Sequence, residues 1–185
     1  MSVTRLMTAA AMTAMGLTLS ACGGSPGVAM TVGDEETTNA RVAEVSDHAC
    51  IGLSEQFEAE GVTVPMSQVR QRMVAILAAR SQANQMAEEY DVNPSPGYEA
   101  TVAQIRAEVA QLPEEAREDY VEVAATNTLV NDVISQIGAI VLAENGATDP
   151  APEDAAAAGY DAYQVWSDVN GVDIDPRYGL KNVDG

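Results

Sequence analysis

Basic residues are scarce in this chain, which has nine Lys and Arg against 28 Asp and Glu among its 185 residues. The formal net charge of −19 argues against nucleic-acid binding, because phosphates are bound by basic patches. It argues equally against electrostatic docking on anionic lipid, which uses clusters of Lys or Arg. The composition therefore predicts no nucleic-acid partner, and any attachment to a membrane has to come from another source.

Side chains that commonly bind metals or perform catalysis are also few. His48 is the single histidine, and Cys22 and Cys50 are the only cysteines. Glu44 precedes His48 by four residues and could share a metal with it, but a zinc site needs three or four ligands. The sequence has no phosphate-binding loop, dinucleotide fingerprint or Cys/His metal box. We therefore predict a protein that is not an enzyme and that holds no metal and no cofactor.

The first 27 residues have the organisation of an export signal followed by a tether. Arg5 precedes an apolar run of Ala, Met and Leu that is shorter than a membrane span, which needs about 20 residues. The run ends in Leu19-Ser20-Ala21-Cys22, which resembles the bacterial lipobox, a motif cleaved before a cysteine that carries a diacylglycerol. We predict a lipoprotein signal peptide over residues 1–21 and a lipidated Cys22 with a flexible tether over residues 22–27. An ordinary signal peptide cut after Ala21 is the alternative.

Lipidation of Cys22 would set both the location and the redox chemistry of the chain. Two or more acyl chains, such as palmitate, hold a protein stably on a membrane. The predicted location is the outer face of the cytoplasmic membrane, facing the periplasm if the source is diderm. Cys50 would then have no partner within the chain, so we expect a small buried side chain, with an intermolecular disulfide or a reactive thiol as the alternative.

Residues 28–185 have the periodicity of one mainly α-helical domain. The larger apolar residues Val28, Met30 and Val32 alternate with smaller residues, which predicts a short strand that ends at the turn Gly33-Asp34. Apolar residues spaced by three and four predict five helices, of which the fourth is the most apolar and the best candidate for the centre of the core. The predicted helices cover approximately residues 38–57, 65–90, 102–112, 113–145 and 153–169.

A second short strand is predicted near the end of the chain. Val172 and Ile174 alternate with aspartates, directly before Pro176-Arg177-Tyr178-Gly179. Because a lone strand cannot satisfy its backbone groups, this segment is expected to pair with the first strand. The predicted fold is thus about five helices with a two-stranded sheet joining the N- and C-terminal segments. For Arg177 we favour pairing with an acidic neighbour over binding of a client carboxylate.

The lipobox, the opening strand and the closing sequence VDIDPRYG after a Trp-bearing helix resemble the SurA/PrsA family of extracytoplasmic chaperones. The similarity is to the N-terminal domain, and particularly to short actinobacterial lipoproteins with that domain alone. In that family the first and last strands pair, and the helices form a cradle for unfolded chains. Members that isomerise prolyl bonds carry an additional parvulin domain of about a hundred residues, for which we expect no room here.

The resemblance implies a non-catalytic holdase for unfolded or newly secreted polypeptides. Flexible methionines can line promiscuous binding surfaces, although they also fill cores. The candidate peptide-binding residues are the larger apolar side chains on the predicted helices: Phe57, Met66, Met73, Tyr90, Tyr163 and Trp166. The alternative function is an adaptor or structural lipoprotein that binds one dedicated envelope partner. An exposed apolar cleft would favour the holdase, and a closed body with one flat patch would favour the adaptor.

Overall fold

A computed structural model describes residues 26–180, so Cys22 and most of the tether lie outside the described residues. The strands are β1 (Val28–Val32), β2 (Glu35–Thr38) and β3 (Val172–Ile174). The helices are α1 (Asn39–Glu60), α2 (Met66–Glu89), α3 (Pro96–Glu108), α4 (Glu114–Glu144) and α5 (Pro152–Asn170). A short 3-10 turn, Pro176–Tyr178, follows β3. The prediction of a mainly helical fold with five helices and a small sheet is confirmed.

The helices begin and end at local signals in the sequence. The Thr38 side chain accepts a hydrogen bond from the Arg41 N–H at 3.1 Å, which caps the start of α1. Gly61, with a φ of 62°, ends the same helix in the left-handed conformation that glycine adopts most easily. Ser95 caps α3 in the same way as Thr38 caps α1, by accepting from the Tyr98 N–H.

The sheet is antiparallel with the order β2-β1-β3, so β1 lies in the middle. Met30 lies opposite Ile174, which confirms the predicted pairing of the two terminal segments. The sheet has one strand more than predicted, because β2 forms a hairpin with β1 through the turn at Gly33. The β2 sequence is Glu-Glu-Thr-Thr and mostly exposed, so it lacks the apolar alternation that indicates a strand.

Helix α4 is the centre of the helical body and packs against each of the other four helices. Its side chains Leu129, Val133 and Ile137 are buried. They join a core that includes Met86 of α2 and Val32 of β1, both fully buried. The prediction that the fourth helix is the central one is therefore confirmed.

The contact between α4 and α5 is the tightest helix contact among residues 26–180, because the two backbones touch. A Cβ atom added at Gly138 of α4 would overlap the carbonyl oxygen of Ala155 in α5. A Cβ atom at Gly159 of α5 would likewise overlap the carbonyl oxygen of Ile134 in α4. Only glycine fits at these two positions without moving a helix, so α4 and α5 are in direct backbone contact where they cross.

Candidate functional site

Helices α1, α2 and α4 pack against one another over only part of their length and leave an open groove of about 740 Å³ between them. Each helix contributes residues spaced by three or four, so one apolar stripe of each helix faces the groove. The larger apolar side chains that these helices contribute to the groove are Leu53 and Phe57 of α1, Val69, Met73 and Ile76 of α2, and Tyr120 and Val123 of α4. The α1 wall, residues 49–57, is about 12 Å long at 1.5 Å per residue.

The groove floor is apolar, and its walls end in amides and one arginine. Met73 and Val69 are only 3% and 8% exposed and form part of the floor. The polar lining residues are Gln56, Gln68, Gln71, Arg72 and Asn127. Among the described residues that line the groove none is acidic, although the chain has 28 acidic residues. The groove can therefore bury apolar side chains while its amides hydrogen-bond to a polypeptide backbone.

Tyr120 of α4 forms one wall of the groove. Its ring can approach α1 closely because the residue opposite it, Gly52, has no side chain. The Tyr120 ring lies against Gly52, where an added Cβ atom would overlap the ring. The ring is half-buried and holds α1 and α4 at a fixed separation next to the groove. Tyr120 could not be identified as a groove residue from sequence, since one aromatic side chain on an apolar helix gives no sign of what it faces.

Cys50 lies in the groove wall as a free, half-buried thiol. Burial, and secondly the negative charge of Asp47, raise the pKa of this thiol above its ordinary value. The thiol is therefore neutral near pH 7 and a poor nucleophile there.

An ion-pair network joins α1 to α4 beside the groove. Arg41 pairs with Asp119 through two contacts, Nη2 to Oδ1 at 2.6 Å and Nη1 to Oδ2 at 3.0 Å. His48 Nδ1 lies 2.6 Å from the same Asp119 Oδ2. Burial acts to raise the pKa of Asp119, but hydrogen bonds from Arg41 and His48 outweigh it and hold that pKa below its usual range. The hydrogen bonds to Asp119 also raise the pKa of Arg41.

The network extends to α2 through Glu122. Its carboxylate accepts from Arg41 Nη2 at 3.1 Å and lies 3.0 Å from Arg80 Nε. Glu44, considered above as a metal partner of His48, pairs instead with Arg41 at 3.0 Å. Within residues 26–180, no three His, Cys, Asp or Glu side chains form a group that could hold a metal ion. Through Arg41, Asp119, Glu122 and Arg80, the network joins α1, α2 and α4 beside the groove.

The structure places the predicted peptide-binding residues at different sites. Phe57 and Met73 both line the groove. Met66 is 36% exposed at the start of α2 and is not part of the groove lining. Tyr163 packs against the core, and its burial, with a smaller effect of Tyr160, raises its pKa to about 12.

Tyr90 and Trp166 belong to a second, shallower cavity of about 430 Å³ between α5 and the ends of α2 and α4. Trp166 is only 6% exposed, and its indole N–H donates to Glu89 Oε2 at 2.8 Å. Beside it, Val165 and Val169 are 61% and 77% exposed on α5. The six predicted residues therefore do not form one surface.

The closing motif joins the end of the described chain to its beginning. The Asp175 N–H donates to the Ala29 carbonyl at 2.9 Å, and the Tyr178 hydroxyl donates to Asn39 Oδ1 at 2.7 Å. Arg177 Nε lies 2.8 Å from Asp175 Oδ2. Pro176 begins the 3-10 turn, and Gly179, with a φ of 68°, ends it.

Between residues 26 and 180, none of the helices combines the length and the apolar character that a membrane span requires. No family model matches the chain, and no curated protein or solved structure is significantly similar to it. The resemblance to the SurA/PrsA family stays a prediction that rests on the sequence motifs and the order of elements.

Proposed function

We propose that this chain is a non-catalytic holdase, which binds apolar segments of unfolded or newly secreted polypeptides in the groove between α1, α2 and α4. The observation that carries the proposal is the groove itself, because it is open, apolar along its floor and lined by amides. Neighbouring helices ordinarily bury such stripes against each other, and a stripe left open is typical of a binding surface.

The dimensions of the groove favour weak and reversible binding. A wall of about 12 Å accommodates three or four extended residues at about 3.3 Å each. An extended segment of this length places about two side chains in the groove, and full burial of an apolar side chain contributes about 1.5–3 kcal/mol. Association and the ordering of a flexible client would remove several kcal/mol of this. Because a Kd of 1 μM needs about 8 kcal/mol, we expect affinities weaker than micromolar, which suits a protein that must release its clients.

The anchor is the second part of the proposal. Lipid on Cys22 would place the groove near polypeptides that emerge on the outer face of the cytoplasmic membrane. Incorporation of an alkyne-tagged fatty acid into the full chain, and its loss in Cys22→Ser, would support this location. Equal labelling of both chains would contradict it.

The binding proposal is tested with the full chain carrying Cys22→Ser, so that no lipid is attached. We expect it to suppress aggregation of several unrelated unfolded proteins. Phe57→Glu places a charge in the groove and should abolish the effect, whereas Val169→Glu places the same charge on the exposed face of α5 and should not. No suppression by the parent chain, or equal loss in both variants, would contradict the proposal.

An adaptor role is the second candidate, and the exposed side chains on α5 favour it. Val165, Val169 and the 55% exposed Tyr160 are large apolar residues that this helix leaves in solvent. If a single envelope protein binds the chain, and Val169→Glu rather than Phe57→Glu prevents the binding, the adaptor role is the correct one.

A further inference from the structure

Arg72 is an exposed cation at the groove that has no carboxylate partner within the described part of the chain. In the same residues, Arg41, Arg80, Arg106 and Arg177 all form ion pairs. Within residues 26–180, Arg70 and Arg117 form no ion pair either, but neither lines the groove, and Arg72 is the one charged residue among those that do. Because the groove lining has no acidic residue to neutralise Arg72, the charge within the groove is positive in an otherwise acidic chain.

We infer that the groove selects polypeptide segments in which a short apolar stretch is flanked by a single Asp or Glu, whose carboxylate pairs with Arg72. The inference rests on the proposed function and names the kind of client it serves. Because Arg72 shares the groove lining with Met73 and Ile76, a flanking carboxylate can reach the guanidinium while its apolar neighbours are buried. The planar guanidinium can bind both oxygens of that carboxylate.

The charge of the whole chain limits the client to one or very few carboxylates. At a net charge of −19 the protein repels acidic polypeptides at long range. That repulsion is screened beyond about 10 Å in 0.1 M salt, whereas a direct contact with Arg72 is screened much less. A client with one carboxylate therefore gains the contact with little repulsion, and a strongly acidic client does not.

The experiment uses the full chain carrying Cys22→Ser and three fluorescent peptides, acetylated and amidated at their ends so that no terminal charge is present. The peptides share one apolar stretch and differ only in a flanking Glu, Gln or Lys. By fluorescence anisotropy we expect the Glu peptide to bind about threefold to fivefold tighter than the Gln peptide, the gain typical of an exposed ion pair. The Lys peptide should bind most weakly.

Two charge reversals on the same helix provide the matched comparison. Arg72→Glu should reverse the order, so that the Lys peptide binds tightest. Arg70→Glu makes the same change in net charge at an exposed residue that does not line the groove, and it should leave the order unchanged. Circular dichroism checks that both variants are folded, which is expected because both arginines are exposed.

The outcomes separate this inference from the proposed function. Equal binding of the Glu and Gln peptides, or equal effects of the two reversals, would overturn the selectivity. If Phe57→Glu still abolishes binding of the Gln peptide in that case, the groove remains the binding site and only the role of Arg72 is wrong. If none of the peptides binds the parent chain, the inference and the proposed function are both contradicted.

Discussion

The two sides of α4 are built in opposite ways. On one side α5 approaches until the backbones touch, because Gly138 and Gly159 have no side chains to hold them apart. On the other side Tyr120 and Val123 face α1 and α2 across a groove of about 740 Å³. A single helix thus forms a close backbone contact on one side and borders an open groove on the other.

This difference indicates how stability and binding are divided within the fold. Close packing gains dispersion energy and excludes water, so the α4–α5 side contributes to stability. The groove side has less close packing and so contributes less dispersion energy to stability. An ion-pair network beside it keeps α1, α2 and α4 in position. Each of the following predictions tests this division.

The largest expected effect is on the free energy of unfolding, and it is tested by truncating one isoleucine on each side of α4. Ile137→Ala removes a fully buried side chain of α4 and should lower the free energy of unfolding by about 4 kcal/mol. Ile76→Ala removes a half-buried side chain of the groove and should cost about 1 kcal/mol, since much of its surface faces no neighbour. Urea unfolding measures both. Equal losses would show that the groove residues are an ordinary core.

Substitutions at the contact of Gly138 and Gly159 between α4 and α5 should lower stability almost as much. Alanine at Gly138 or Gly159 would push α5 away from α4 and lower the free energy of unfolding by about 3 kcal/mol. This loss is a net value, because alanine itself favours a helix by about 1 kcal/mol over glycine. Gly97→Ala in α3, where a Cβ atom fits, is the control and should be neutral or stabilising. A neutral Gly138→Ala would contradict the closed contact.

Removing the shared carboxylate should have an intermediate effect that depends on pH. Asp119→Asn leaves Arg41 and His48 without their common partner and should cost about 2 kcal/mol at pH 7. The folded-state pKa of Asp119 is lowered, so its contribution is complete above the unfolded value of about 4 and is lost as the pH falls through the folded value. Parent and variant should therefore converge in stability at acidic pH.

Urea unfolding at pH 7 and at pH 3 measures this convergence. The control is Glu118→Gln, which removes an exposed carboxylate paired with Arg106 and should change little at either pH. A stability difference between parent and Asp119→Asn that stays constant with pH would contradict the assigned role of the carboxylate.

The smallest effect is on the reactivity of Cys50. In the chain carrying Cys22→Ser it is the only thiol, and its raised pKa predicts slow alkylation at pH 7 and faster alkylation at higher pH. A bound apolar peptide should slow the reaction severalfold further by covering the groove. Asp47→Asn removes the second cause of the raised pKa and should increase the rate slightly. A rate unaffected by peptide would place the peptide elsewhere.

Much of the fold could be predicted from sequence, because the physical signals are local. Apolar residues spaced by three and four identify the helices, and alternation at Val28 to Val32 and at Val172 to Ile174 identifies two strands that pair. The hairpin strand β2 could not be predicted, because Glu35 to Thr38 are polar and show no alternation. Its position depends on the neighbouring strand and on the turn at Gly33.

The groove was the part least accessible from sequence. The stripe of Val69, Met73 and Ile76 is identical whether it faces a core or an open cavity, since periodicity reports only which residues share a face. The unpaired state of Arg72 also depends on what surrounds it in three dimensions. Gly138 and Gly159 carry no periodic signal, and only the crossing of α4 and α5 gives them a role.

The central claim is that the open side of α4 binds polypeptide and the closed side holds the fold. Its most direct test is to follow backbone amide NMR shifts of the full chain carrying Cys22→Ser during titration with one apolar peptide. We predict the largest shifts in residues that line the groove, such as Leu53, Ile76 and Val123, and small shifts along α5. Shifts concentrated around Val165 and Val169, or no shifts at all, would contradict the account.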